Sequence, residues 1–188
     1  MTTVWIVLGV AVFLIFAIIC WWIGTKNAFV KLQNKVKEAF SAMDVYMQQR
    51  YDLIPNLVET VKGYMKHEKS TFEDVVKARN SAFSATNIED KQKAEGQLSG
   101  ALKNLFALAE SYPELKANTN FEALQARLEN METAIANGRR YYNACVVNLN
   151  NKIDMFPSSI VASHYHIERA QMFELADMAA RKNVKVEF

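Results

Sequence analysis

The sequence has few of the residues that break helices or cross-link chains. Among its 188 residues there are six glycines, three prolines and two cysteines. The two cysteines, Cys20 and Cys145, are too few for a disulfide framework or a cysteine-based zinc site. Because so little turn-forming material is present, we expect few and long elements. The length suits one domain with an anchor and is too short for two ordinary domains.

Charge is absent from the first 25 residues, where no Lys, Arg, Asp or Glu precedes Lys26. Residues 4–23 form an apolar run that reads VWIVLGVAVFLIFAIICWWI. As a helix this run measures about 30 Å, which is the thickness of the hydrocarbon core of a bilayer. The run has neither the basic start nor the small-residue cleavage site of a signal peptide. It therefore predicts an uncleaved transmembrane helix.

Aromatic and basic residues flank the apolar run. The predicted membrane-interface residues are Trp5 at one end and Trp21, Trp22, Lys26 and Lys31 at the other. Lysines follow the run, whereas only the α-amino group precedes it, so the positive-inside tendency places the rest of the chain in the cytoplasm. The lysines also suit binding to membrane lipids with anionic headgroups, although a solvated collar that only sets the topology explains them equally well.

Apolar residues from Phe29 onward recur every three or four positions, which is typical of a helix with a coiled-coil-like seam. The series resumes at Phe72 and continues to Ala82, so an unbroken helix over residues 26–85 would form a rod of about 90 Å. Pro55 lies inside this rod and lacks an amide hydrogen. Because the apolar series keeps its phase across Pro55 and no capping residue precedes it, we predict a structural kink there rather than a helix end.

Three charged residues occupy seam positions where apolar side chains are expected, namely Arg50, Glu68 and Arg79. Buried charges persist only when they are paired, so these residues could form salt bridges between helices or decide the choice of partner. Alternatively the seam drifts around the helix and the charged groups reach water at its edge. The sequence leaves these alternatives open.

Two further long helices and a tail complete the pattern. The second helix is predicted at about 88–112, with Thr86 or Asn87 as its N-cap. The third is predicted at about 120–155, with Asn120 as its N-cap. A last amphipathic helix is expected in the tail, and its apolar face would contain Ile167, Met172, Phe173 and Met178.

These elements predict an all-α fold, in which an N-terminal single transmembrane helix precedes an antiparallel up-and-down bundle of long helices. The expected domains are residues 1–25 for the short N-terminus and anchor, 26–160 for the bundle, and 161–188 for the C-terminal tail.

The helix lengths do not match in this prediction. Helices of about 37 and 54 Å cannot cover a rod of about 90 Å when they lie side by side. The uncovered part is expected next to the membrane, and an exposed apolar stripe needs a partner. We therefore predict a homo-oligomer built through the membrane helix and the adjoining half of the first long helix, with contact residues Phe29, Leu32, Val36, Phe40 and Met43.

No catalytic, cofactor-binding or metal-binding site is predicted. His67 and Glu68 begin like a zinc-protease motif, but the position of the second histidine holds Thr71. His164 and His166 have the spacing of two metal ligands without a third cluster to complete a site. The balanced charge gives no footprint for nucleic acid, so none is expected as a partner.

Three segments carry a resemblance to a known family. They are RYDLIPNLVETVKGYMKHE at 50–68, LSGALKNLFALAESYPELKAN at 98–118, and the stretch from NFEALQARLENMETAIANGRRYY to NKIDMFPS at 120–158. Together, over roughly residues 20–160, the chain resembles the LemA family. The resemblance implies a bacterial protein with a short N-terminal segment, one membrane helix and a bundle of long antiparallel helices. It implies no catalytic residues.

Three functions remain open on these grounds. The favoured one is a scaffold or adaptor that is anchored in the bacterial inner membrane, self-associates, and organises or remodels membrane. The second is a regulatory partner of a membrane protease or transporter. The third is a membrane hydrolase with an unfamiliar site around Tyr64, His67 and Glu68, which the missing catalytic motifs disfavour.

Overall fold

The computed structural model describes residues 1–174, of which 84% are helical, and it contains no strand in that range. The predicted all-α class, with a long apolar helix at the N-terminus and further helices after it, is confirmed. The helices are α1 (Thr2–Lys62), α2 (Lys69–Ser84), α3 (Ile88–Ala109), α4 (Pro113–Lys116), α5 (Thr119–Asp154) and α6 (Ser158–His164).

Helix α1 continues through Pro55, as the unbroken apolar phase predicted. A proline removes one main-chain hydrogen bond and leaves the carbonyl four residues earlier without its donor. That carbonyl belongs to Tyr51, and it accepts a hydrogen bond from Nε of Arg79 in α2 at 3.2 Å. A side chain of the next helix thus replaces the missing amide. The kink itself stays a prediction.

The predicted rod over residues 26–85 is wrong, because α1 ends at Lys62 and α2 begins only at Lys69. A turn at Gly63 and Tyr64 closes α1, where the Tyr64 amide donates to the Val61 carbonyl at 3.0 Å. The part of α1 after the apolar run is therefore about 55 Å long, close to the length of about 54 Å that 36 residues give α5. The mismatch in length that predicted an uncovered stripe does not exist.

Asparagine side chains define where α3 and α5 begin. Asn87 accepts a hydrogen bond from the Asp90 amide at 2.7 Å, which confirms it as the N-cap of α3. The predicted cap of α5, Asn120, is wrong. The helix begins at Thr119, and Oδ1 of Asn118 instead accepts from the amides of residues 120 and 121 at 2.9 and 3.0 Å. Free amides at a helix start are satisfied by the side chain just before it.

The chain divides into two compact units. The first unit combines Met1–Phe40 with Tyr141–Gln171, and the second contains Ser41–Arg140 with the described residues from Met172 onward. The core of the first unit consists of Phe29, Leu149, Val161 and Ala162. The fully buried residues of the second unit include Leu57, Val61, Met65, Leu98 and Leu105.

The described part of the tail, residues 165–174, is not helical, so the predicted helix through Ile167, Met172 and Phe173 is wrong there. Met178 lies outside the described residues. Side chains of α5 bind the main chain of this segment instead. The Asn150 amide group both donates to the Ala170 carbonyl and accepts from its N–H, each at 2.9 Å, and the Tyr142 hydroxyl donates to the Gln171 carbonyl at 2.8 Å. These bonds satisfy backbone groups that a helix would have paired internally.

Candidate membrane-anchoring site

The apolar half of α1 is exposed along its whole length. Among the described residues α1 is the one helix that is long and apolar enough to cross a membrane, by length and composition, and none of its most apolar window is buried in the protein. The Phe13 side chain, for example, is 68% exposed. An exposed apolar surface of this extent is unfavourable in water and marks a site of contact with an apolar phase. The segment therefore fits a membrane anchor.

An aromatic and basic cluster lies at the C-terminal end of the apolar run. Trp22 donates a hydrogen bond from Nε1 to the Tyr165 hydroxyl at 3.3 Å, and its ring lies 5.3 Å from the His164 ring. The Lys26 ammonium lies 4.6 Å from the centre of the Tyr165 ring, a cation–π distance. We call Trp22, Lys26, His164 and Tyr165 the interfacial cluster.

The sequence identified only half of this cluster. Trp22 and Lys26 were predicted as interface residues from their position beside the apolar run, and the structure joins them to two residues of the α6 end. Trp21 packs edge-on against Trp22 with ring centres 6.3 Å apart, whereas Lys31 is exposed and Trp5 lies exposed near the other end of the run. The sequence pattern of His164 and His166, at and just after the end of α6, points only to metal ligands. The aromatic character of this stretch beside a predicted membrane end was the signal that could have placed it here.

The stripe predicted to make an oligomer is covered by the chain itself. Phe29 and Met43 are completely buried, Leu32 and Val36 pack partly buried against the core of the first unit, and the Phe40 ring lies 5.7 Å from the Tyr142 ring. The expectation that this stripe is free is therefore wrong. The C-terminal half of α5 and α6 supply the cover.

Gly138 explains how α5 approaches so closely. A Cβ atom at this position would lie 3.1 Å from Cβ of Met43, tighter than nearly all such contacts. The glycine that interrupts the apolar pattern of α5 is thus a place where two helices touch closely, rather than a weak point in the helix.

The second unit contains a buried charge network. Arg50 is 1% exposed, and its guanidinium contacts the carboxylates of Glu95, which is also buried, and Glu132, which is half-exposed. The same group donates to the Ser99 hydroxyl at 3.2 Å, and this hydroxyl donates to Glu132 at 3.0 Å. Pairing between helices is confirmed for Arg50, so the alternative that it drifts to water is wrong. Within the described residues its Nε atom has no hydrogen-bond partner.

Tyr51 completes the network, since its hydroxyl donates to Glu95. Burial, and then the negative charge of Glu95, raise the pKa of Tyr51 far above its usual value. The phenol therefore stays neutral and acts as a fixed hydrogen-bond donor. A buried carboxylate held by an arginine and a neutral phenol is a paired charge, an arrangement that suits a structural role.

Two of the three residues of the suggested hydrolase site, Glu68 and Tyr64, form hydrogen bonds with residues outside it. The Glu68 carboxylate accepts a hydrogen bond from the Tyr112 hydroxyl at 3.2 Å, and the Tyr64 hydroxyl accepts one from Asn118 at 2.9 Å. Burial and the bond to Glu68 raise the pKa of Tyr112. Over residues 1–174 no group of three or more His, Cys, Asp and Glu side chains is placed to hold a metal ion.

Comparison with known proteins agrees with the sequence resemblance. The model of the LemA family matches residues 39–188, so the match begins inside α1 and includes the tail beyond residue 160. The chain is 24% identical to Protein LemA of Metamycoplasma hominis, over 84% of this chain and 72% of the relative. It is also 24% identical to the magnetosome protein MamQ of Magnetospirillum gryphiswaldense, over 89% and 71%, and 25% identical to MamQ 2 of Paramagnetospirillum magneticum, over 79% and 64%. With four fifths of its length matched by the family model, the chain belongs to the LemA family.

Proposed function

We propose that this protein is a helical scaffold or adaptor anchored in the bacterial inner membrane by residues 4–23, with its helical domain in the cytoplasm. One observation carries the proposal. The exposed apolar run and a helix packed into the protein core are parts of one unbroken helix, α1. The packed core is therefore attached to the anchor without a flexible linker. In this proposal residues 1–25 are the anchor, 26–160 the bundle and 161–188 the tail.

Several features support this proposal. The interfacial cluster supplies Trp, Tyr and Lys side chains where a bilayer ends, which are the residues that prefer that layer. The half-exposed and buried charges of the second unit are paired with one another, and their arrangement suits stability rather than catalysis. The lysines after the apolar run favour the cytoplasmic orientation and contact with anionic lipids.

The anchor is tested by charged substitutions along α1. Val12→Arg with Ile15→Arg places two charges in the run, where each disfavours insertion by about 2.5–3.5 kcal/mol. We expect the full chain to move from the membrane fraction to the soluble fraction after alkaline carbonate washing. The matched control, Val30→Arg with Asn34→Arg, changes two exposed positions of α1 beyond the run and should leave the chain in the membrane. Release of the unmodified chain by the same washing would contradict the proposal.

The orientation has its own test. Protease added to cells with permeable outer membranes and intact inner membranes should leave the helical domain uncut, and should digest it only after the inner membrane is opened. Digestion before opening would place the domain on the outer side and refute the cytoplasmic orientation.

We further propose that the protein self-associates within the membrane. Because the stripe from Phe29 to Met43 is covered, the candidate contact lies in the apolar run, where Cys20 and Gly24 are small residues four positions apart. Cys20→Ile with Gly24→Ile should lower the oligomer fraction seen by mass photometry in mild detergent and by cross-linking in cells. A chain that is monomeric in both experiments before substitution would refute self-association.

A second candidate function, regulation of a membrane protease or transporter, is supported by a groove in the second unit. This open groove of about 630 Å³ lies between the end of α1 and α2, and Val58, Phe72 and Val76 line it. Lys62, Lys69 and Lys77 also line the groove, against one acidic residue, Glu73, so an apolar segment with acidic residues is the partner that fits.

A photo-reactive residue at Val76 tests this candidate. It should cross-link to a membrane protein in cells, whereas the same residue at Val45, an exposed valine that is absent from the groove lining, should not. The product should disappear when Lys62 and Lys77 are changed to Glu. A cross-link that survives this charge reversal, or equal products at both valines, would contradict the groove as the site.

A further inference from the structure

The turn between α5 and α6, together with the first turn of α6, exposes three large apolar side chains of the first unit. Met155 is 64% exposed, Phe156 82% and Ile160 50%. Single exposed apolar residues are common on proteins, but three within six positions at one turn form a patch. The patch belongs to the first unit, so its position can be compared with that of the apolar run.

Contacts of α6 place this patch beside the membrane end of α1. Val161 and Ala162 bury their side chains in the core around Phe29, and the His164 ring packs against Trp22. Trp22 and Phe29 are seven residues apart on α1, or about 10 Å along its axis. Helix α6 therefore lies within about 10 Å of the end of the apolar run.

The exposed face of α6 is also the face that meets Trp22. Ile160 and His164 are four residues apart and so lie on one side of the helix, and both are exposed, whereas Val161 and Ala162 are buried. Because His164 contacts a tryptophan at the end of the predicted span, Ile160 lies one helical turn, about 6 Å along α6, from that contact. The layer of headgroups is about 5–8 Å thick on each side of a bilayer.

Charges around the patch suit a lipid surface. The Lys152 ammonium lies 5.7 Å from the centre of the Phe29 ring just before the turn, and Lys26 lies on the facing helix. The carboxylate of Asp154 contacts the guanidinium of Arg169, so the acidic residue nearest the turn is paired. Glu168 is exposed farther along the tail. Apolar side chains with lysines beside them are the composition of segments that lie in a membrane interface.

We propose that Met155, Phe156 and Ile160 insert into the headgroup layer of the leaflet bordered by Trp21 and Trp22, as a second membrane contact of this protein. The inference rests on the proposed anchor, since the apolar run defines where that layer begins. The turn joins two helices of the first unit, so its insertion fixes that unit against the bilayer surface at two separate points.

The experiment uses the full chain in nanodiscs of phosphatidylethanolamine and phosphatidylglycerol. Cys20→Ala removes the exposed native thiol, while Cys145 is buried and stays in place. An environment-sensitive fluorophore is attached after Phe156→Cys, and in separate chains after Val12→Cys and Tyr141→Cys. Tyr141 is the matched control, an aromatic residue of α5 in the same unit that is 51% exposed and lies about 20 Å before the turn. Quenching is measured with a lipid that carries a nitroxide near its headgroup for positions 156 and 141, and with a lipid that carries it deep on an acyl chain for position 12, which lies near the middle of the proposed span.

We expect the fluorophore at position 156 to lose at least about half of its fluorescence, as it would at the depth of an interfacial segment, and the one at 141 to lose little. Quenching at 12 without quenching at 156 would overturn the second contact and leave the anchor intact. Absence of quenching at both 12 and 156 would overturn the anchor and this inference together. Equal quenching at 156 and 141 would show that the unit lies on the lipid without a specific contact at the turn, which also overturns the inference.

Discussion

The two halves of α1 have similar apolar side chains and opposite surroundings. In the first half Phe13 is 68% exposed, and in the second Phe29 is completely buried. The apolar residues of the first half cover all sides of the helix, so no single protein surface could bury them. Those of the second half recur every three or four positions and form one stripe, which α5, α6 and α3 can cover. The amount of apolar surface thus indicates that a helix must be buried. The distribution of that surface around the helix indicates whether lipid or protein buries it.

The halves also differ in how they treat charge. No charged side chain occurs in residues 4–23, whereas the second half buries Arg50 completely. An ion inside a protein is stable when other elements bring counter-ions to it, as α3 and α5 do with Glu95 and Glu132. Lipid brings no such partners.

The largest expected effect comes from removing the buried charge. Arg50→Met leaves the carboxylate of Glu95 buried without its cation, which should lower the free energy of unfolding by about 3–5 kcal/mol. Urea titration of the full chain in mild detergent, followed by circular dichroism, measures the change.

A double substitution separates the lost pair from the lost packing. Arg50→Met with Glu95→Met removes both charges and should recover most of the stability, because apolar residues of similar volume can replace a buried ion pair. A double variant that is less stable than Arg50→Met would contradict this. It would mean that the network stabilises the fold by more than the pairing of its charges.

A smaller effect is expected from two matched leucines in the same helix. Leu57 is fully buried by protein and Leu14 is exposed in the apolar run. Leu57→Ala should destabilise the fold by about 2–5 kcal/mol, whereas Leu14→Ala opens no cavity in the protein and should change the unfolding transition by less than about 1 kcal/mol. Equal losses in the urea titration would mean that the first half is also packed against protein.

The smallest expected effect concerns pH. The pKa of Tyr51 is raised in the folded protein, so its contribution to stability is fully present below the unfolded pKa of about 10 and is lost as the pH rises above that value. Its hydrogen bond to a charged partner is worth about 1.5–3 kcal/mol. The stability difference between the unmodified chain and Tyr51→Phe should therefore be constant from neutral pH to about pH 9 and shrink at higher pH. A difference that stays constant in strong alkali would show that the phenol is not held neutral by the fold.

Much of the architecture could be predicted because it depends on local signals. The apolar run lacks charge altogether, Asn87 precedes acidic residues at a helix start, and the unbroken phase around Pro55 indicates a continuous helix. The end of α1 was missed although Lys62 and Gly63 form a usual helix-end signal, since the apolar series resumes in α2 with nearly the same phase. The predicted rod, the mismatch in helix length and the uncovered stripe all followed from missing this helix end.

The segments that bury the stripe from Phe29 to Met43 are held by contacts that do not follow a periodic pattern in the sequence. The tail is fixed by the side chains of Asn150 and Tyr142, which bind main-chain groups of Ala170 and Gln171. Main-chain partners leave no pattern in the side chains of the segment they bind. The sequence predicted only two of the four residues of the interfacial cluster, because Trp22 and Tyr165 are 143 positions apart in the chain.

Pro55 has a consequence for how α1 and α2 align. The Tyr51 carbonyl that it leaves free is satisfied only when the guanidinium of Arg79 lies beside it. If α2 slid along α1 by one turn, about 5.4 Å, the carbonyl would lose its donor and remain inside the protein. An unpaired buried group costs about 1–3 kcal/mol, enough to make the slid arrangement a minor species. Because Pro55 lacks an amide hydrogen, one alignment of α2 along α1 is more stable than the slid arrangement.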